Sequence, residues 1–384
     1  MKYYVMNKNT IVAKFDVFNT QYGTHYQYID IDIQELPFKL INLDEFIKSR
    51  TVLTDRYGLK DNLAKIGIKE HIDLLKLTYG VSLVDTFWIK EESDSMTWEH
   101  ISPYRADRQF NLSWLFTDSM RPELYRGVPD YSTDGNFPKC WVTANNEKHL
   151  IKCGTSGAYN AGLEPLSDIL FTQIADCIAF NNYVHYARTD IDIQRLSKEY
   201  RTPGLLKDTV RITEGKRFSS ICKSFTSEDY GLVTAYELGL KSFEDIIDFA
   251  RKHCENWKDA CCIYLCDAIG FNEDRHNGNI GFLFDTNTYQ ILSVAPMYDN
   301  NLSLLCYYDD RVDLDDYLEQ LKAKDGRNFV DLAHKVLEYI PEREDLLRQI
   351  LNNFSFSSDF YVAEKRIALL NEVVNQQIRK ILFG

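Results

Sequence analysis

No apolar run in this 384-residue sequence approaches the roughly 20 residues that a membrane-spanning helix needs. The opening MKYYVMNKNT has no apolar core for export, and neither end carries a lipidation signal, so the expectation is a soluble, cytoplasmic chain. No CxxC pair occurs among the nine cysteines (Cys140, Cys153, Cys177, Cys222, Cys254, Cys261, Cys262, Cys266 and Cys306). An odd number without an export signal fits reduced, mostly buried thiols. Cys262 and Cys266 stand four apart on one helix face, where core packing is expected and no zinc site is assigned. Basic residues are in deficit: 44 Lys and Arg against 57 Asp and Glu leave a net charge of -13. That balance argues against direct nucleic-acid binding, which needs clustered cations for the phosphates. Internal repeats and low-complexity tracts are absent as well.

What is present is core material. A hydrophobic content of 45 % and an aromatic content of 13 % exclude a disordered chain, and the length suits two or three lobes. Tyr3 to Phe18 reads as short strands around an Asn7-Lys8-Asn9 turn, and Ile29 to Ile33 as a further strand. Asp44 to Ser49, Leu63 to Ile66 and His71 to Tyr79 read as helices, with Gly80 as a C-cap. Met120 to Asp134, which holds Pro122, Gly127 and Pro129, reads as a boundary between an N-terminal part and the rest. Cys140 to Thr143 and His149 to Cys153 read as two strands, Glu164 to Phe180 as a helix opened by Pro165, and Tyr183 to Tyr186 and Ser219 to Phe225 as further strands. From Leu238 the pattern is mostly helical: Phe243 to His253, Trp257 to Ile269 with Gly270 as its stop, then Leu314 to Lys322, Val330 to Tyr339, Glu342 to Phe354 and Asp359 to Leu382.

The chemistry gathers in two polar turns between apolar runs, GFNEDRHNGN (Gly270 to Asn279) and APMYDN (Ala295 to Asn300). Ile280 to Phe284 and Tyr289 to Val294 read as a hairpin that brings the turns together. Phosphoryl transfer needs a group to orient an attacking hydroxyl, hard oxygen ligands for Mg²⁺, and cations against the phosphates. Asp274 suits the first task as catalytic base, and Asn279 and Asp299 suit the second as metal ligands. His276, two residues after Asp274, either takes part in the chemistry or holds the turn by hydrogen bonds. Arg275 either meets substrate or a phosphate.

NEDRHNGN followed by APMYD resembles the HipA-like serine/threonine protein kinase family, and DRHNGN also resembles the catalytic loop of phosphatidylinositol kinases. The first resemblance implies an α+β, bilobal, protein-kinase-like fold: a β-rich N-lobe and an α-helical C-lobe, preceded by an α+β accessory domain. In this sequence these would be residues 126–226, 227–384 and 1–125. The segment Leu74 to Lys90, followed by SMTWEHISPY, resembles the stretch that precedes the kinase core in one bacterial branch of the family. The resemblance places a phosphate-covering loop at Ser132, Thr133, Gly135 and Lys139, with a site of autophosphorylation at Ser132. It places the phosphate-reaching lysine at Lys152, with Lys139 as second candidate, and adenine contacts near Cys222 and Lys223. The acid that pairs with that lysine would be Asp168 or Glu164. ATP and Mg²⁺ are the implied cofactors, a protein Ser or Thr hydroxyl the acceptor, and an antitoxin-like protein an implied partner. The alternatives are a lipid or small-molecule kinase and a catalytically silent nucleotide-sensing or partner-binding module.

Overall fold

Alternating apolar residues and a left-handed Lys8 (φ 50°) fold the N-terminus into a hairpin of β1 (Lys2–Asn7) and β2 (Thr10–Thr20), as the sequence suggests. The structure is a computed structural model that describes residues 1–21, 23–51, 71–106, 137–155, 158–193, 202 and 204–384. The expected helix at Leu63 to Ile66 and the expected boundary at Met120 to Asp134 lie outside these residues.

The chain continues through β3 (Gly23–Ile29), α1 (Leu43–Ser49), α2 (His71–Thr78), β4 (Phe87–Glu91) and α3 (Trp98–Ile101). Next come β5 (Lys139–Ala144), β6 (Glu147–Cys153), α4 (Glu164–Cys177), β7 (Tyr186–Asp192), α5 (Gly204–Thr209), β8 (Lys216–Lys223), β9 (Tyr230–Thr234), α6 (Phe243–His253) and α7 (Lys258–Gly270). The last elements are β10 (Gly281–Asp285), β11 (Ile291–Val294), α8 (Leu314–Gln320), α9 (Phe329–Leu337), α10 (Glu342–Ile350) and α11 (Glu364–Phe383). The strand orders are β3-β2-β1-β4, β5-β6-β8-β7 and β11-β10-β9.

Two compact units result. The first comprises Met1–Ile151, Ser224–Val233 and Leu283–Ile291, and the second Lys152–Lys223, Thr234–Phe282 and Leu292–Gly384. Strands dominate the first, and α4 to α11 all belong to the second.

In the first unit, Met6, Val81, Trp88, Trp98 and Ile101 form a buried cluster. Beside the start of β4, Asp85 is fully buried between Arg50 (Nη1 to Oδ1 2.8 Å, Nη2 to Oδ2 2.6 Å) and Lys39 (Nζ to Oδ2 2.9 Å). Burial alone would push this carboxyl up, but the two cations outweigh it and hold Asp85 well below the usual carboxylate range. The strand expected at Ile29 to Ile33 lies earlier, at Gly23–Ile29, and Ile33–Glu35 is a single 3₁₀ turn. As an edge strand, β3 alternates between exposed and half-buried residues, with Tyr26 and Tyr28 on the covered side and no fully buried position.

The second unit is built around α7. Every residue from Ala260 to Gly270 is buried, as its all-round apolar sequence demands, and α4, α6, α9 and α11 pack against it. Gly270 does not end this helix by a left-handed turn of its own; Phe271 takes that conformation (φ 55°). Glycine is needed at 270 for another reason, because a Cβ there would lie 2.4 Å from the Phe171 ring. The strand expected at Tyr183 to Tyr186 instead begins at Tyr186 and runs to Asp192, paired with β8 from Tyr186–Cys222 to Asp192–Lys216. Arg188 and Asp190 disguise it in sequence. They pair on one face (2.8 Å), and the guanidinium lies against the rings of Phe218 and Phe360.

Candidate active site

A lysine near the end of a buried strand loses its hydration and needs acids around it. Lys152 on β6 finds two. Its Nζ donates to Asp168 (Oδ2 3.0 Å, Oδ1 3.3 Å) and to Asp299 Oδ1 at 2.6 Å. Burial works against the ammonium, but Asp168 and Asp299 outweigh it and raise Lys152 well above the usual lysine range.

Asp168 sits on the second turn of α4, which Pro165 starts, and has no solvent exposure. It also accepts the Asn300 backbone N–H at 3.0 Å, so the acid that grips Lys152 grips the Asp299 turn too. Glu164 is four residues earlier on the same helix but is engaged otherwise. It accepts from Thr155 and Gly162 N–H groups (3.2 and 2.9 Å) and from the Tyr307 hydroxyl (2.7 Å), closing the loop between β6 and α4. The lysine's partner on this helix is therefore Asp168.

Asp299 itself is left-handed (φ 55°), a conformation that costs a non-glycine residue roughly 1–3 kcal/mol. Its backbone N–H donates to the Tyr186 hydroxyl at 3.1 Å, and the Tyr186 ring lies 5.1 Å from the Lys152 ammonium. Tyr186 opens β7 opposite Cys222, which is buried on β8, while Lys223 at the strand end is exposed. Lys139, the other candidate phosphate lysine, opens β5 in the first unit and is buried there. Ser132, Thr133 and Gly135 lie outside the described residues.

The two polar turns meet on Arg275. Its guanidinium is buried and bidentate to Asp267 of α7 (Nε to Oδ2 2.9 Å, Nη2 to Oδ1 3.1 Å). From there it donates to the carbonyls of Asn279 and Tyr298 and to Asn300 Oδ1, each at 2.6 Å. Burial disfavours this cation, but Asp267 outweighs it and raises its pKa further. Arg275 is thus an internal anchor. A second tie runs from the Tyr298 hydroxyl to the Gly278 carbonyl (2.9 Å).

Within the first turn, the Asp274 backbone N–H is held by Asn272 Oδ1 (3.1 Å), and its carbonyl accepts from Asn279 Nδ2 (3.0 Å). That bond fixes the Asn279 amide, leaving its Oδ1 as the atom that a cation would use. His276 Nδ1 accepts the Gly278 N–H at 3.0 Å, while its Nε2 stands 4.0 Å from Asp274 Oδ2. The imidazole closes the turn. Asp274 also meets Lys324, whose Nζ donates to Oδ1 at 2.8 Å.

The donor set suits Mg²⁺, which takes one or two carboxylates and fills its remaining positions with phosphate oxygens and water. Asp299 and Asn279 offer one carboxylate and one amide oxygen on turns that share an anchor. Among the described residues no group of three or more His, Cys, Asp or Glu side chains could hold a metal.

No protein-family model and no curated protein matches the sequence. Solved structures do. The Helicobacter pylori proinflammatory kinase CtkA is similar at TM-score 0.43 and 19% identity, over 65% of this chain and 90% of its own. A chain of the Shewanella oneidensis MR-1 toxin–antitoxin complex of HipA, HipB and operator DNA is similar at TM-score 0.49 and 11% identity, over 100% of this chain and 99% of its own. The Golgi casein kinase with Mn/ADP bound is similar at TM-score 0.31 and 11% identity, over 65% and 71%. The likeness is distant and concerns fold.

The roles of Tyr186 and Asp267 are not read from the sequence, and Asn300 stands in the APMYDN turn there without its Arg275 and Asp168 partners. Asp267 alone leaves a signal there: an acid inside an otherwise apolar helix needs a buried partner, and Arg275 stands eight residues on.

Proposed function

We propose that this chain is an ATP- and Mg²⁺-dependent serine/threonine protein kinase of HipA-like type. The observation that carries the reading is the buried Lys152 held between Asp168 and Asp299, next to the turn bearing Asn300. A buried cation shared by two acids is arranged to be handed to an anion. Lys152 keeps Asp168 as its anchor and turns toward the ATP phosphates. Asn279 Oδ1 and Asp299 would hold Mg²⁺, which supplies charge neutralisation on the phosphate oxygens when bound. Asp274 orients the acceptor hydroxyl. As the acceptor oxygen bonds to the γ-phosphorus, the bond from that phosphorus to the β,γ-bridging oxygen breaks. ADP leaves with the electron pair, and the hydroxyl proton passes to Asp274. His276 fixes the turn that presents Asp274.

In this reading residues 126–226 and 227–384 are the kinase lobes and 1–125 an accessory domain. Ser132, Thr133, Gly135 and Lys139 cover the phosphates, and backbone groups near Cys222 and Lys223 meet adenine. The work is cytoplasmic, and an antitoxin-like protein is a partner.

Incubation with γ-labelled ATP, Mg²⁺ and a cell lysate tests the reading. The expected product is acid-stable label on protein Ser or Thr, with phosphate on Ser132 or Thr133 detected by mass spectrometry. Label in the lipid fraction alone would make the chain a lipid kinase. Metal-dependent ATP binding with no transfer would make it a nucleotide-sensing module.

A further inference from the structure

Among the described residues of the second unit, three cations stand at the two polar turns and the β6 end, Lys152, Arg275 and Lys324, and the first two face inward. Lys152 is held by Asp168 and Asp299 and in the kinase reading serves the nucleotide phosphates, while Arg275 is spent on Asp267, two carbonyls and Asn300. Lys324 differs. Its side chain is 52% exposed, and its contact with Asp274 Oδ1 uses one of the three N–H donors of an ammonium group.

The segment that carries it is built to hold it there. Leu321 and Ala323 are buried while Lys322 and Lys324 face out. The Ala323 N–H donates to the Arg327 carbonyl (2.9 Å) and the Gly326 N–H to the Ala323 carbonyl (2.8 Å), with Gly326 left-handed at φ 87°. Asp325 clamps the Arg327 side chain (2.7 Å to Nε), and that guanidinium lies 5.5 Å from the Phe243 ring. A five-residue turn with this many ties places one ammonium on one carboxylate fifty residues away. An exposed ion pair of this kind contributes little to stability, so the turn has no structural need of the lysine.

We infer that Lys324 is a further catalytic residue, the cation that meets the transferring phosphoryl group on the acceptor side. The inference rests on the kinase reading above. With Asp274 turned to the acceptor hydroxyl, Lys324 keeps one donor on that carboxylate and offers the others to the γ-phosphoryl oxygens, where charge spreads during transfer. Its proton stays on nitrogen throughout. The hydroxyl proton goes to Asp274, and the electron pair leaves with ADP.

Lys324→Met and Lys324→Arg, assayed with labelled ATP on the full chain, test it. Removal of a preorganised donor from a transition state lowers kcat by about 100-fold. Because the contact forms only during transfer, KM for ATP stays within about twofold of the parent value. The Met variant is expected to show that split, with an unchanged melting temperature, and the Arg variant to recover part of kcat. An unchanged or raised kcat in Lys324→Met, with Asp274→Asn inactive, would overturn this role and leave the kinase reading standing. A parent chain that transfers no phosphate would overturn both.

Discussion

Arg275→Met is expected to lose about 3–5 kcal/mol of stability together with phosphate transfer. Methionine retains most of the stem's volume, so the loss isolates the guanidinium. Its removal leaves Asp267 buried with Asn272 as its remaining side-chain partner (2.8 Å) and takes the shared donor from Asn279, Tyr298 and Asn300. Stranding a buried charge costs far more than deleting an exposed one. On the proposed function, activity falls for a separate reason, since the turns bearing Asp274 and Asp299 lose their common anchor, and small displacements of groups that serve a reaction are expensive. Arg275→Lys restores the charge without the planar fork, so it recovers only a fraction of either property. Denaturant titration with transfer assays below the variant's midpoint separates the two effects. A Met variant as stable as the parent would contradict the anchoring role.

Asp85→Asn is expected to cost about as much in the first unit, ~3–5 kcal/mol, without touching the Lys152 site. The amide leaves Arg50 and Lys39 buried side by side with no carboxylate between them. The pH dependence has a definite sign. The folded-state pKa of Asp85 lies below its unfolded value of about 4, so its contribution is complete above that pH and is lost as the pH falls toward the folded value. The difference in stability between parent and variant should hold at its full size at neutral pH and narrow in acid. Urea midpoints between neutral pH and pH 3, followed by tryptophan fluorescence, give the comparison, since Trp88 and Trp98 lie in the buried cluster of this unit. A difference independent of pH would mean that shape, not charge, is what Asp85 supplies.

Much of the second unit is legible in the sequence because its signals are local. The all-round apolar run WKDACCIYLCDAI forms the buried helix its pattern suggests, and the two polar turns around a hairpin come together on Arg275. The choice between Asp168 and Glu164 was not legible, since residues four apart share a helix face and periodicity weights them alike. What separates them is tertiary: Thr155, Gly162 and Tyr307 claim Glu164. Tyr186 is harder still. Its hydroxyl accepts the N–H of a residue 113 positions away and its ring lies against the Lys152 ammonium, and neither contact leaves a trace in spacing. Lys324 looks in sequence like any exposed lysine of a turn, and only the folded chain sets it against Asp274.

On the proposed function Asp274 and Asp299 serve one phosphoryl transfer, which is tested by following labelled γ-phosphate from Mg-ATP to protein in the parent, Asp274→Asn and Asp299→Asn. The expected result is label on serine or threonine from the parent, its loss in both variants, and ATP binding retained in Asp274→Asn. Equal labelling by parent and Asp274→Asn would contradict it.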